Sequence, residues 1–167
     1  MKSRATTIFA AIAALTLAAC SEDPPEADAG AGAGAGGGAV VGADPSSVQY
    51  FRETVGDRVF FATDSSRLTA VGEQTLARQA AWLAQNPGID AVVEGHADER
   101  GTREYNLALG ARRAEAARAY LVSQGVSATR LRTISYGKER PESLCSAESC
   151  WTQNRRAVTV VAGAPTS

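Results

Sequence analysis

A low-complexity segment rich in glycine and alanine divides this 167-residue chain into two unequal parts. From residue 21 it reads SEDPPEADAGAGAGAGGGAVVGADP, with almost no large apolar side chains. Such a segment cannot offset the entropy lost when a backbone is ordered, so we predict a flexible linker over residues 20–47. The rest of the chain is long enough for one core. We therefore expect one folded domain over residues 48–163 and a short tail at residues 164–167.

The first residues have the pattern of an export signal. Lys2 and Arg4 place positive charge at the start, and the apolar run over residues 8–19 is too short to cross a bilayer comfortably as a helix. Removing a signal at residues 1–19 takes two of the 17 basic side chains and leaves 15 against 18 acidic ones, a formal charge of -3. This charge gives no bulk attraction for nucleic acid, so we expect no nucleic-acid partner.

The signal ends on small residues and a cysteine. Leu17-Ala18-Ala19-Cys20 resembles the lipobox of bacterial lipoproteins, in which the cysteine is acylated and becomes the first mature residue. The resemblance implies a lipid anchor at Cys20, because burying several acyl chains at ~0.8 kcal/mol per CH2 gives stable attachment. In lipoproteins an aspartate after the cysteine favours retention in the inner membrane, so with Ser21 the resemblance implies the outer membrane, with the domain in the periplasm. An ordinary secretory cleavage site before a free cysteine is the alternative.

Beyond the linker, strand and helix patterns follow one another. Four short runs have the apolar or alternating character of strands: residues 59–61, 89–94, 131–136 and 157–161. Two stretches have helical spacing and end signals. One runs from a cap at Thr69 to a stop at Asn86, and the other is opened by Gly101-Thr102 and runs to about residue 125. The order βαβαββ predicts an α+β fold, with two helices packed on a small four-stranded mixed sheet and a loop over residues 137–153.

The segment GHADERGTREYNLALGARRA, residues 95–114, lies where the second strand ends and the second helix begins. Asn106 and Arg113 are seven residues apart, so they share one helical face, which is unusually polar for a side toward the core. A guanidinium there needs an anionic partner or ligand, because an unpaired buried charge is costly. Asp98 is the nearest candidate. The residues alone allow either a ligand site or a structural ion pair between Asp98 and Arg113.

Four long motifs resemble the OmpA-like domain family, in this order: FFATDSS, NPGIDAVVEGHADERGTREYNLALGARRA, GVSATRLRTISYGKERP and NRRAVTVV. The resemblance covers residues 48–161. It implies a domain that binds peptidoglycan non-covalently through the diaminopimelate of the stem peptide, without a cofactor. It also implies partnership with TolB and the Tol complex, and a role in outer-membrane integrity and in invagination during cell division.

Within this family pattern, two charged residues share the zwitterionic end of diaminopimelate. The resemblance assigns its ammonium to Asp98 and its carboxylate to Arg113, whose planar guanidinium can hold a carboxylate through two parallel hydrogen bonds. The Ala62-Thr63 pair departs from the family pattern and affects the expected side wall of the pocket. Five further residues are expected at the site, three lining it and two organising it: Asp64, Arg100 and Leu109, then Asn106 and Asn154.

The remaining reactive side chains predict a crosslink rather than a metal site. Cys145 and Cys150 flank a short loop, and two thiols so close in an oxidising compartment predict a disulfide, a reactive or metal-binding pair being the alternative. His96 is the only histidine. A zinc site normally recruits more histidine or cysteine than this, so we interpret His96 as structural and expect no metal.

A wall hydrolase is the competing hypothesis for function. Glu94 with Asp98 or Glu99 could form a carboxylate pair for glycoside hydrolysis. Asp98, however, is followed closely by arginines that should keep it ionised, and a single histidine leaves no evident Ser/His/Asp or Cys/His arrangement. We therefore expect a binding protein and not an enzyme.

Overall fold

A computed structural model describes residues 44–162 of the chain. The predicted signal at residues 1–19, Cys20, most of the linker and the tail at residues 164–167 lie outside the described residues. Within the described range, no helix is both long enough and apolar enough to cross a membrane. The bounds of the elements, in chain order, are α1 Val48–Tyr50, a π-helical turn Phe51–Gly56, β1 Arg58–Phe60, α2 Ala70–Gln85, β2 Ala91–His96, α3 Arg103–Ser123, a 3-10 turn Ala128–Arg130, β3 Leu131–Gly137, α4 Glu148–Asn154 and β4 Arg156–Val161.

The four strands form one mixed sheet in the order β1-β4-β2-β3. The last strand, β4, lies between β1 and β2 and pairs antiparallel with both, while β2 and β3 are parallel neighbours. The helix α3 makes the crossover between those parallel strands, as a βαβ unit requires. The predicted α+β fold with a four-stranded mixed sheet is confirmed.

Both long helices begin at the threonines that the sequence indicates. The hydroxyl of Thr69 accepts a hydrogen bond from the Gly72 amide at 3.1 Å, and that of Thr102 accepts one from the Tyr105 amide at 3.2 Å. Each cap satisfies a backbone donor that the first helical turn leaves without a partner. The starts of α2 and α3 are therefore set locally.

The core lies between one face of the sheet and helices α2 and α3. The alternation along β2 buries Ala91, Val93 and Gly95 on this face. The approach of α3 is very close, because a Cβ atom added to Gly95 would lie 1.8 Å from the carbonyl oxygen of Gly110. Only glycine allows this contact, which holds the polar face of α3 against the end of β2. The large side chains of the core include Phe51, Leu76, Leu83 and Leu121.

The loop predicted over residues 137–153 contains a helix that sequence reasoning missed. This helix, α4, has only seven residues and its N-cap, Ala147, makes no side-chain capping bond, so it lacks the usual signals. The expected disulfide lies at its start, with the Cα atoms of Cys145 and Cys150 5.7 Å apart. The short helix α1 and the π-helical turn after it were also not anticipated.

Candidate functional site

A cavity of about 360 Å³ opens where the loop after β2 meets the start of α3 and the loop after β1. Six of the seven residues expected around the ligand lie together here. These six are Asp64, Asp98, Arg100, Asn106, Leu109 and Arg113. The rest of the lining comes from Thr63, Gly101 and Tyr105.

Asp98 is the buried anion of the cavity, with 7% of its surface exposed. Its Oδ2 atom accepts hydrogen bonds from Nη2 of Arg100 at 2.7 Å and from Nη1 of Arg155 at 3.3 Å. Burial alone would raise the pKa of Asp98, but the hydrogen bonds from Arg100 and Arg155 outweigh it and lower the pKa below its usual value. The carboxylate is therefore ionised at neutral pH.

Arg113 is fully buried and bound mainly to backbone. Its Nε donates to the carbonyl of Ser65 at 2.8 Å, its Nη1 to that of His96 at 2.8 Å, and its Nη2 to that of Ala62 at 3.1 Å. Burial lowers the pKa of Arg113 to about 10, so it is still cationic at neutral pH. A guanidinium has five N–H groups, and these three bonds leave two without an acceptor among the described residues.

The structural ion pair between Asp98 and Arg113 is absent from the described residues, so that interpretation is wrong. Asp98 is instead paired with Arg100 and Arg155. Arg113 satisfies much of its hydrogen-bonding capacity with carbonyl oxygens. Two opposite charges consequently line one cavity without neutralising each other directly.

Arg155 is a site residue that sequence reasoning missed. It is only 4% exposed, and its guanidinium bridges three groups: the carbonyl of Phe61 at 3.1 Å, Asp98, and the carboxylate of Glu148 at 2.5 Å. The family resemblance points only to its neighbour in sequence, Asn154, as an organising residue. The only available signal was the Arg155-Arg156 pair where β4 begins, which does not show which arginine points inward.

Two polar groups shape the outer wall of the cavity. Asp64 has a positive φ of 52°, a conformation that aspartate adopts more readily than most residues, and its carboxylate accepts a hydrogen bond from the Tyr105 hydroxyl. Tyr105 is 44% exposed and was not anticipated. Together they join the loop after β1 to the first turn of α3.

The two asparagines have different locations. Asn106 is buried beside the cavity, and its Nδ2 donates to the carbonyl of Arg100 at 2.7 Å, which fixes the loop that carries Asp98. Asn154 does not line the cavity. Its Oδ1 accepts from the amides of Glu142 at 2.7 Å and Ser143 at 3.0 Å, so it organises the loop before the disulfide instead.

His96 contributes its backbone to the site and its ring to the opposite face of the sheet. Its carbonyl accepts from Arg113, while its side chain lines a second cavity of about 390 Å³ with Glu94 and Arg156. Neither ring nitrogen has a hydrogen-bond partner within residues 44–162. The ring is thus buried on the sheet face opposite to the cavity that Asp98 lines. No group of three metal-ligating side chains occurs in the described part of the chain.

Comparison with known proteins agrees with this architecture. The OmpA family profile matches residues 60–156. Relatives named peptidoglycan-associated lipoprotein include one from Mesorhizobium japonicum, 55% identical over 97% of this chain and 95% of that protein, and one from Agrobacterium fabrum, 63% identical over 73% of this chain and 69% of that protein. The crystal structure of the peptidoglycan-associated lipoprotein from Burkholderia pseudomallei has a TM-score of 0.66 at 37% identity, covering 71% of this chain and 100% of that one.

A mixed sheet with two helices on one face, and a charged cavity beside the loop after its second strand, define an OmpA-like domain. This chain belongs to the OmpA family, over essentially the range that its sequence motifs indicate.

Acidification should destabilise the fold through His96. Burial, then the charges of Arg156 and Arg140, lower its pKa to about 4 from 6.5. Between these pH values the unfolded chain binds a proton at His96 that the folded chain excludes. The contribution of neutral His96 to the free energy of unfolding is therefore fully present above pH 6.5 and is lost as the pH falls toward 4. The loss should be on the order of 3 kcal/mol.

Urea denaturation of the wild type and of His96→Asn, from about pH 7 to about pH 4, measures this component. Only the wild type has the imidazole at position 96, so the wild type should lose more stability than the variant across the window. A difference in free energy of unfolding that stays constant with pH would contradict the assignment.

Proposed function

We propose that this protein binds peptidoglycan non-covalently by holding the diaminopimelate of the stem peptide in the cavity between Asp98 and Arg113. The observation that carries the proposal is the placement of both groups, buried and oppositely charged, in one cavity of about 360 Å³. The names of the relatives support it, because they denote proteins associated with peptidoglycan.

The chemistry of the ligand matches that of the cavity. One carbon of diaminopimelate bears an ammonium and a carboxylate, and Asp98 and Arg113 offer the complementary charges. Arg113 retains two N–H groups after its three backbone bonds, enough for a bidentate contact in the manner of arginine and carboxylate. Because its guanidinium is fixed by backbone, little side-chain entropy is lost on binding.

Catalysis fits the cavity less well than binding. A hydrolase of the two-carboxylate type needs an acid that is protonated near neutral pH. The arginines beside Asp98 lower its pKa, which is the wrong direction for a general acid. Glu94 lies on the cavity of the opposite sheet face, with His96, and cannot serve as the partner.

We also propose that Cys20 carries lipid and anchors the chain in the outer membrane, so that the linker over residues 20–47 spans the gap to the wall. The lipobox supports the anchor, and the relatives are named as lipoproteins. Partnership with TolB and the Tol complex, and a role in invagination during division, rest on the family resemblance alone.

Asp98→Asn should abolish most wall binding by the mature chain. The change keeps the shape of the side chain but removes the charge that receives the ammonium, so affinity should fall by at least about 30-fold. Cosedimentation with purified peptidoglycan measures this. Asp90→Asn, the same change at an exposed aspartate at the far end of β2, is the matched control and should bind normally.

Circular dichroism should show that both variants are folded. Wall binding by Asp98→Asn at the level of the wild type would overturn the proposed site. Release of soluble muropeptides by the wild-type protein in the same assay would instead indicate catalysis.

Cys20→Ser should detach the protein from the membrane. Without a thiol the residue cannot be acylated, and the interfacial anchor is lost. Membrane fractionation should move the protein to the soluble fraction, and mass spectrometry should find acyl chains on the wild type only. A wild-type mature protein with an unmodified cysteine would refute the anchor.

TolB and the wall should exclude each other on this domain. In the family pattern the two partners use overlapping surfaces, so TolB-bound protein should not sediment with peptidoglycan. Sedimentation of purified wall with increasing TolB tests this. A ternary pellet containing the wall and both proteins would contradict the overlap of the two binding surfaces.

A further inference from the structure

We infer that Arg100 is an internal competitor for Asp98, which an incoming ammonium must displace, and that Trp151 retains the displaced guanidinium. This role makes Arg100 a determinant of affinity. Every ligand that brings an ammonium to Asp98 must first break the same ion pair. The inference rests on the proposed function, since it concerns the same cavity.

The two arginines on Asp98 are held very differently. Arg155 has only 5% of its side chain exposed, and it is fixed on either side of Asp98 by the carbonyl of Phe61 and by Glu148. The Arg100 side chain is 40% exposed. Its hydrogen bonds within the described residues all go to Asp98, from Nη2 at 2.7 Å and from Nε at 3.3 Å. Arg155 is therefore held in place by three groups, whereas Arg100 can separate from Asp98 by breaking contacts to that residue alone.

An ammonium cannot simply join this arrangement. Asp98 already faces two guanidinium groups, and a third cation against one carboxylate would be repelled by both. The exposed partner is the one that can exchange, because water compensates its lost ion pair. Arg155 then keeps Asp98 ionised and oriented while the ligand takes the place of Arg100.

The ring of Trp151 provides a place for the released side chain. The guanidinium carbon of Arg100 lies 4.1 Å from the centre of this ring, within the range of a cation–π contact. The hydrogen bond from Arg100 to Asp98 is the largest cause of the raised pKa of Arg100. The negative charges of Glu148 and Glu99 also raise this pKa, so both carboxylates stabilise the Arg100 cation. Arg100 can thus lose Asp98 and remain against Trp151 in an acidic surrounding.

Displacement has a consequence for affinity. A simple amine and a zwitterion must both break the Arg100 ion pair to reach Asp98, so both lose affinity by the same factor. The carboxylate of the zwitterion can offset that loss at Arg113, whereas a simple amine has no second contact there. Arg100 therefore weakens both ligands without changing the ratio of their affinities.

Two probes with the same carbon chain test this directly: meso-diaminopimelate, and 1,5-diaminopentane, which lacks both carboxylates. Calorimetry on the full mature chain should show that the wild type prefers meso-diaminopimelate. Arg100→Gln should bind each probe about fivefold more tightly than the wild type, the size expected for loss of an exposed competing ion pair. The ratio of the two affinities should stay the same.

Arg103→Gln is the matched control, because Arg103 is 69% exposed, pairs with Glu139 and does not line the cavity. It should leave both affinities unchanged. A second variant, Asp98→Asn/Arg100→Gln, should show no gain over Asp98→Asn alone, because there is no longer a carboxylate to compete for.

The outcomes separate the two hypotheses. Binding of either probe by Arg100→Gln that is no tighter than binding by the wild type would overturn the role of Arg100 while leaving the wall site intact. Failure of the wild type to bind meso-diaminopimelate would overturn both. A gain that persists without Asp98 would show that Arg100 acts by general repulsion and not by competition.

Discussion

The buried guanidinium of Arg113 connects the parts of the molecule that form the cavity. Arg113 lies on α3, and it donates to carbonyl oxygens from the end of β2 and from the loop after β1. Burying a charge is tolerated when hydrogen bonds surround it, and three backbone acceptors meet that requirement. The same bonds fix three segments relative to one another. The guanidinium that would receive a carboxylate thus also holds together the three segments that form the cavity.

The charged side chains beside Arg113 form a connected network of ion pairs and not isolated pairs. Asp98 connects Arg100 to Arg155, and Arg155 connects Asp98 to Glu148 on α4. The loop after β2 is thereby linked to a short helix from a distant part of the sequence. Such connected polar groups orient each other more strongly than separate pairs would. This network of ion pairs keeps Asp98 ionised and fixes the orientation of its carboxylate.

The sequence allowed most of the fold to be predicted, because the relevant signals are local. Thr69 and Thr102 cap their helices as the pattern indicates, and the alternation along β2 sets its two faces. The site was predicted as a set of residues but not as a set of contacts. Arg155 and Asp98 are 57 positions apart, so no local spacing shows that they meet. Helix α4 was missed because seven residues without a capping bond carry too little signal.

The contact between Gly95 and Gly110 limits how a domain of this kind can change during evolution. The obstacle to a side chain at Gly95 is the backbone of α3, which no replacement of a neighbouring side chain can remove. At Gly110 the nearest obstacle is the hydroxyl of Ser135, which could be replaced, but the carbonyl of Gly95 at 2.8 Å could not. Neither glycine can therefore be rescued by a single compensating mutation. Variation among descendants of this sequence should be directed to the rim of the cavity, where side chains meet solvent, and away from the seam between strand and helix.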